Sequence, residues 1–348
     1  MTEPPIRIGF IGAGGICKTR HLPGLAGIAG AEVRSVCNRS EQSSRRVAEE
    51  WSIPQIDRDW RELIAREDID AVFIGTWPYT HMEMSVAALD AGKHVFCQAR
   101  MACDLAEAKR MVAAAERHPD LVSMLCPPPH RMPWEPYIRS LIDADELGEL
   151  REVHVVSLNA SNLNPDQITF RERVEFSGKQ VLAVGIVAET LNAWVGEYDT
   201  LQAITATPVA TKTDSDGSTH HIRIPQTVMI HGRLQNGAAI TEHHSGLWAH
   251  SQRDEIVIVG SRGTLRVVPM RSIEFARVGE ELAPVKVPAD QQRDWRVEAD
   301  FIEAVRRARA GQSWRVSPDF HEGLKYMRKV EALHAAAATG ETVQPASL

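Results

Sequence analysis

The sequence lacks what would mark a membrane, secreted or nucleic-acid-binding chain. No window reaches the roughly 18 uninterrupted apolar residues of a membrane helix, so no spanning segment is expected. There are five cysteines, Cys17, Cys37, Cys97, Cys103 and Cys126, an odd number without Cys-x-x-Cys or Cys/His ligand spacing. That pattern excludes a disulfide framework and a structural zinc site, leaving the thiols reduced and mostly buried. Basic charge is not in excess: 39 Lys and Arg stand against 46 Asp and Glu, a net charge of -7, and supply no positive field for a phosphate backbone. Met1 to Ile6 passes through Glu3, Pro4 and Pro5 into a strand, without the basic start and apolar core of a secretory signal. The expectation is a soluble, cytoplasmic protein whose partner is a small molecule, neither nucleic acid nor membrane, and which holds no metal.

What is present is the composition of an ordinary globular protein, 43% hydrophobic and 24% charged, and 348 residues suffice for two cored domains. Residues 6–11 form an apolar strand bounded by glycine, with a helical pattern from about Ile16. Strands at 31–37, 71–75, 94–97 and 121–126 then alternate with helices at 41–50, 82–91 and 105–116. Apolar strands alternating with helices imply a parallel sheet covered on both faces. Residues 1–126 are therefore read as a doubly wound α/β Rossmann domain. After the Pro127-Pro128-Pro129 step the pattern becomes closely spaced alternating strands, at 151–159, 226–234, 238–244, 254–260 and 264–268, followed by helices near 296–309 and 319–337. Residues 127–348 are read as an α+β domain on an open, mostly antiparallel sheet against which those two helices return.

Gly12, Gly14, Gly15 and Ile16 follow the first strand and open the first helix, the context a dinucleotide fingerprint requires. Gly12 permits the tight turn, Gly14 lets backbone amides approach a diphosphate, and the helix start supplies a favourable dipole. The third glycine of the fingerprint is Cys17 here. At the end of the second strand, where an acidic residue would accept hydrogen bonds from ribose hydroxyls, stand Asn38, Arg39 and Ser40. An arginine in that place can neutralise a 2′-phosphate, so NADP is favoured, with NAD as the alternative.

The segments GFIGAGGIC (9–17), TWPYTH (76–81), AGKHVFCQARMA (91–102), LGELREV (147–153) and VGSRGTLRV (259–267), in this order and spacing, resemble the Gfo/Idh/MocA oxidoreductases. The resemblance implies an N-terminal Rossmann domain, a C-terminal open-sheet domain and oligomerisation through that sheet as a homodimer or homotetramer. It also implies that Thr76, Pro78 and His81 lie on a loop passing the cofactor ribose and nicotinamide. Trp77 and Tyr79 add aromatic bulk there, either flanking the nicotinamide or a substrate ring or packing between domains, and Gln98 and Ala99 are read with the cofactor-binding residues. The family's Glu-Lys-Pro tripeptide is Gln98-Ala99-Arg100 in this chain, and its Asp-x-Gly-x-His-x-x-Asp helix aligns with Ala183 to Thr190, where Ala183 and Val187 replace the aspartate and histidine and only Gly185 survives. The chain thus diverges at all three usual proton-handling positions, yet hydride transfer to or from an alcohol carbon needs a proton to leave or arrive.

Substitutes follow from side-chain chemistry. Arg100 is a poor base but a good clamp for a carboxylate, a phosphate or a developing oxyanion. His243 and His244, adjacent on a strand, point to opposite faces and either could titrate near neutrality. Glu189, Tyr79 and His130 complete the candidates, while His220-His221 is read as a loop rather than a metal site. The expected activity is NAD(P)-dependent hydride transfer involving a polyhydroxylated or carboxylated small molecule, by non-standard proton-transfer groups. The alternatives are a catalytically silent nucleotide-binding sensor and a redox-neutral lyase-type reaction with transiently reduced cofactor.

Overall fold

The computed structural model describes residues 4–131 and 133–348; the side chain of His130 lies outside the description. The chain divides into two compact units, Met1–Pro127 with Arg296–Leu324, and Pro128–Trp295 with Lys325–Leu348.

In the first unit, β1 (Ile6–Ile11) leads through a π-wound segment, Cys17–His21, into α1 (Leu22–Ala26). There follow β2 (Ala31–Cys37), α2 (Glu41–Trp51), β3 (Gln55–Ile56), α3 (Trp60–Ala65), β4 (Ala71–Ile74), α4 (Pro78–Asp90), β5 (His94–Cys97), α5 (Leu105–Arg117) and β6 (Ser123–Leu125). The six strands pair in parallel in the order 3-2-1-4-5-6, so the chain reverses direction across the sheet between β1 and β4. That is a doubly wound sheet, and its ligand crevice is expected at the strands' carboxyl ends beside this switch point. Local signals set the helix starts: Ser40 caps α2 by accepting from the Ser43 amide, Asp104 caps α5 by accepting from Glu107, and Pro78 occupies the first turn of α4.

The second unit comprises α6 (Glu135–Asp143), β7 (Leu150–Leu158), α7 (Val174–Ser177), α8 (Val184–Trp194), β8 (Tyr198–Ala206), β9 (Thr211–Thr213), β10 (Thr219–His221), β11 (Thr227–Leu234), β12 (Ala239–Ser245), β13 (Arg253–Gly260), β14 (Gly263–Val268), β15 (Ser272–Arg277) and β16 (Ala283–Pro284). Its eight-stranded sheet runs 16-15-14-13-7-12-11-8, antiparallel throughout except where β12 and β7 run parallel. One face packs Val153, Val155, Ile230, Ile240 and Ile258 against Val187, Leu191 and Leu333. Strict alternation leaves the other face with Ile204, Met229, His231 and Thr241 exposed. His220 and His221 lie on β10, which forms a small hairpin with β9, rather than in a loop.

Two helices close the chain. α10 (Phe320–Thr339) counts with the second unit beyond Leu324, but α9 (Val297–Arg309) belongs wholly to the first. The sequence placed α9 against the second sheet. Its buried Phe301 instead meets Phe73 edge-on at 5.2 Å, and Phe73 stacks on Phe96 at 4.5 Å. Burying such a ring contributes about 2–3 kcal/mol, enough to decide which core takes an amphipathic helix.

Candidate functional site

A groove of about 460 Å³ opens in the first unit at the carboxyl ends of β1, β2 and β4. Its floor is the turn after β1. Gly12 adopts φ +80°, and a Cβ there would collide with Thr76, so only glycine fits. Gly14 and Gly15 are exposed, and added side chains there would meet nothing closer than 3.9 Å. Cys17, standing where the fingerprint has its third glycine, is buried with its thiol pushed up to about 12 by desolvation. Gly75 makes room for it, because a Cβ on Gly75 would strike the Cys17 sulfur and the Gly12 carbonyl. The small residue has moved from the helix to the facing strand end, and close helix–strand packing survives.

Asn38 ties this turn to β2: its Oδ1 accepts from the Ala13 amide at 2.7 Å and its Nδ2 donates to Ser43 at 3.1 Å. Arg39 is exposed at the rim, its guanidinium 5.8 Å from the centre of the Trp77 ring, which faces it from the start of α4. Arg58, Asp59 and Trp60 complete that end of the groove. They follow β3, a two-residue strand too short for periodicity to reveal, and the sequence reading missed them. Ser40 does not line the groove; its hydroxyl is the α2 cap.

Gly12, Gly14, Asn38, Arg39, Thr76, Trp77 and Tyr79 are thus brought together along one cavity. His81 serves the same region from beneath. It is fully buried, with Nε2 3.0 Å from the Thr76 carbonyl and Nδ1 2.8 Å from the Arg100 carbonyl. Burial lowers its pKa while the facing carbonyls raise it, and the ring braces two loops. Gln98 is buried at the end of β5, whereas Ala99 and Arg100 are partly exposed.

Two candidates of the second unit, Glu189 and His244, are enclosed. Glu189, on α8, is buried with its Oε1 3.4 Å from the Arg131 guanidinium. His244 is fully buried, its Nε2 2.8 Å from Glu242 Oε2, while the partly exposed His243 points to the other face of β12. Glu242 also accepts from the Tyr198 hydroxyl at 2.6 Å and from Lys329 Nζ at 2.5 Å. Burial alone would raise the Glu242 carboxyl, but Lys329 and His244 hold it down at about 2. Among the described residues, no group of three or more His, Cys, Asp or Glu is placed to hold a metal, and no helix is long and apolar enough to cross a membrane.

An "Oxidoreductase family, NAD-binding Rossmann fold" model matches residues 6–125, and a "GFO/IDH/MocA C-terminal domain" model matches residues 137–266. The chain is 29% identical over 163 residues to a 4-carboxy-2-hydroxymuconate-6-semialdehyde dehydrogenase of Sphingobium sp. (strain NBRC 103272 / SYK-6), covering 46% of this chain and 50% of that protein. It is 30% identical over 182 residues to a dTDP-3,4-didehydro-2,6-dideoxy-alpha-D-glucose 3-reductase of Saccharopolyspora spinosa, covering 52% and 53%. The chain spans about half the length of the curated relatives it matches. In fold it is similar to a levoglucosan dehydrogenase solved with NADH and L-sorbose, with a TM-score of 0.89 at 20% identity over 97% of this chain and 98% of that one.

Proposed function

Because the chain belongs to the GFO/IDH/MocA oxidoreductase family, we propose that it is an NAD(P)-dependent oxidoreductase acting on a polyhydroxylated or carboxylated small molecule, with NADP as the favoured coenzyme. The observation that carries this reading is the glycine turn whose position 12 admits no Cβ, opening into a groove rimmed by Arg39 and Arg58. Exposed amides at the helix start suit a diphosphate, and the two arginines suit a ribose 2′-phosphate, one of them stacked near Trp77. The bound coenzyme would supply the hydride acceptor or donor. The chain's own residues bind, orient and move a proton. Tyr79, 44% exposed, is the catalytic candidate that lines the groove, and in this reading it handles the proton. Arg100 fixes a substrate carboxylate or steadies a developing oxyanion. The relatives' names, a carboxylated semialdehyde dehydrogenase and a deoxysugar reductase, support a carboxylated or sugar-derived substrate.

The test is binding followed by turnover. NADPH fluorescence should report binding, tighter than for NADH, and a panel of sugars, cyclitols and aromatic acids should give turnover. Tyr79→Phe should lower kcat by about 10²- to 10⁴-fold with NADPH affinity unchanged. Binding without turnover across the panel would favour a silent nucleotide sensor, a reading supported by Ala99, Ala183 and Val187 at the usual proton-handling positions. Turnover without net change in coenzyme absorbance would favour the lyase-type reaction. Homodimer or homotetramer formation through the open sheet face is part of the proposal and is supported by Ile204, 67% exposed, paired across the ladder with Met229. Light scattering on Ile204→Asp should then show a smaller particle than for the unaltered protein.

A further inference from the structure

Beneath the end of β5 a chain of buried polar groups runs from α9 to the backbone at the divergent tripeptide, entirely within the first unit. The π-wound segment turns His21 inward, 1% exposed, edge-on to Phe96 at 5.1 Å. Its Nδ1 lies 2.5 Å from Glu298 Oε1, and its Nε2 lies 3.3 Å from Gln98 Nε2. Gln98 Oε1 in turn accepts from the Ala99 amide at 3.1 Å. Gly24 on α1 faces the Glu298 carboxylate so closely that a Cβ would collide with it, so the contact is built into the helix.

The direction of every proton in this chain is fixed from one end. A backbone N–H can only donate, so the Ala99 amide must face the oxygen of Gln98. The NH2 group of Gln98 then points at His21, whose Nε2 must accept, which places the ring proton on Nδ1, where Glu298 accepts it. A glutamate at position 98 would offer no donor, and His21 would need a proton on both nitrogens.

We propose that Glu298, His21 and Gln98 form a positioning relay for the nicotinamide half of the bound dinucleotide, since the backbone they hold is tied at Arg100, through His81, to Thr76 in the groove. It fixes the backbone of residues 98–100, and the amide at position 98, rather than a carboxylate, sets His21 as the neutral Nδ1–H tautomer. This rests on the dinucleotide-binding reading above. In long-range proton–nitrogen spectra of the protein without coenzyme, His21 should show a protonated Nδ1 and a bare Nε2, and in Gln98→Glu both nitrogens should carry protons. Gln98→Ala should weaken NADPH binding about 3- to 10-fold, the value of one hydrogen bond, and leave 2′,5′-ADP and ADP-ribose binding unchanged, because those fragments lack the nicotinamide. Equal weakening for NADPH and the fragments, no weakening of either, or a wild-type spectrum with the proton on Nε2 overturns the relay. Should wild-type protein bind neither NADPH nor the fragments, the dinucleotide reading itself fails, while the wild-type spectrum, which needs no folded variant, still judges the tautomer.

Discussion

The two compact units use the same side-chain types in opposite ways. In the first, polar groups lead outward: the groove is built from strand ends, backbone amides and rim arginines, and the buried His81 braces its wall at Thr76. In the second, Glu242 gathers Lys329, Tyr198 and His244 Nε2 inside an apolar sheet face, with His244 Nδ1 left without a hydrogen-bond partner among the described residues. Glu172 and Lys212 pair beneath the β9–β10 hairpin, with Nζ and Oε1 2.7 Å apart. An ionisable residue in a cleft suggests chemistry, but one sealed among its own partners is a structural commitment, because a buried charge without its partner is more costly than the pair. Residue type alone does not separate the two cases.

The contrast can be broken by substitution. The largest effect is expected for Glu242→Leu, which strands Lys329 in the core; it should lower stability by about 3–5 kcal/mol in urea unfolding, and adding Lys329→Met should restore most of it. If Glu242→Leu unfolds as the wild type does, the network is not structural. Next, Gly75→Ala in the first unit should weaken NADPH binding about 10- to 100-fold by displacing Cys17 and the Gly12 turn, with partial recovery when Cys17→Gly is added. Recovery is partial because the Gly12 carbonyl still stands against the new methyl group. Replacing Arg39 and Arg58 together by alanine should cut the preference for NADPH over NADH by about tenfold, measured as a ratio of Kd values.

The smallest effect concerns pH. Burial would raise the Asp70 carboxyl, but Arg7 and Arg309 hold it at about 2 rather than the usual 3.8. A depressed carboxyl stabilises the fold above its unfolded pKa and loses that contribution as pH falls through the folded value. The wild type should therefore exceed Asp70→Asn by about 1–2 kcal/mol at pH 6, a modest figure for a partly solvated pair, and the gap should close between about pH 4 and pH 2.

Much of the first unit was legible because its signals are local. Apolar strands, capped helices and a glycine turn announce themselves within ten residues of sequence, and the floor of the groove follows from them. Arg58 was not legible, since β3, which precedes it, is two residues long and is fixed by pairing with β2 rather than by pattern. Nor was the place of α9, whose apolar stripe fits either core until Phe301 finds Phe73. The fates of Glu189 and His244 were likewise hidden: Arg131 is 58 residues from Glu189, and Lys329 is 87 residues from Glu242.

By itself the sequence determined that the first sheet is parallel, the alternation of the second and the glycine turn that suits a dinucleotide, because each depends on periodicity or on the freedom of a single backbone angle. Tertiary structure alone decided that Gly75 makes room for Cys17, that Asn38 anchors the turn, and that Glu189 and His244 are enclosed. Those outcomes depend on which distant side chains share a small volume, and close packing settles that only when the whole chain is in place.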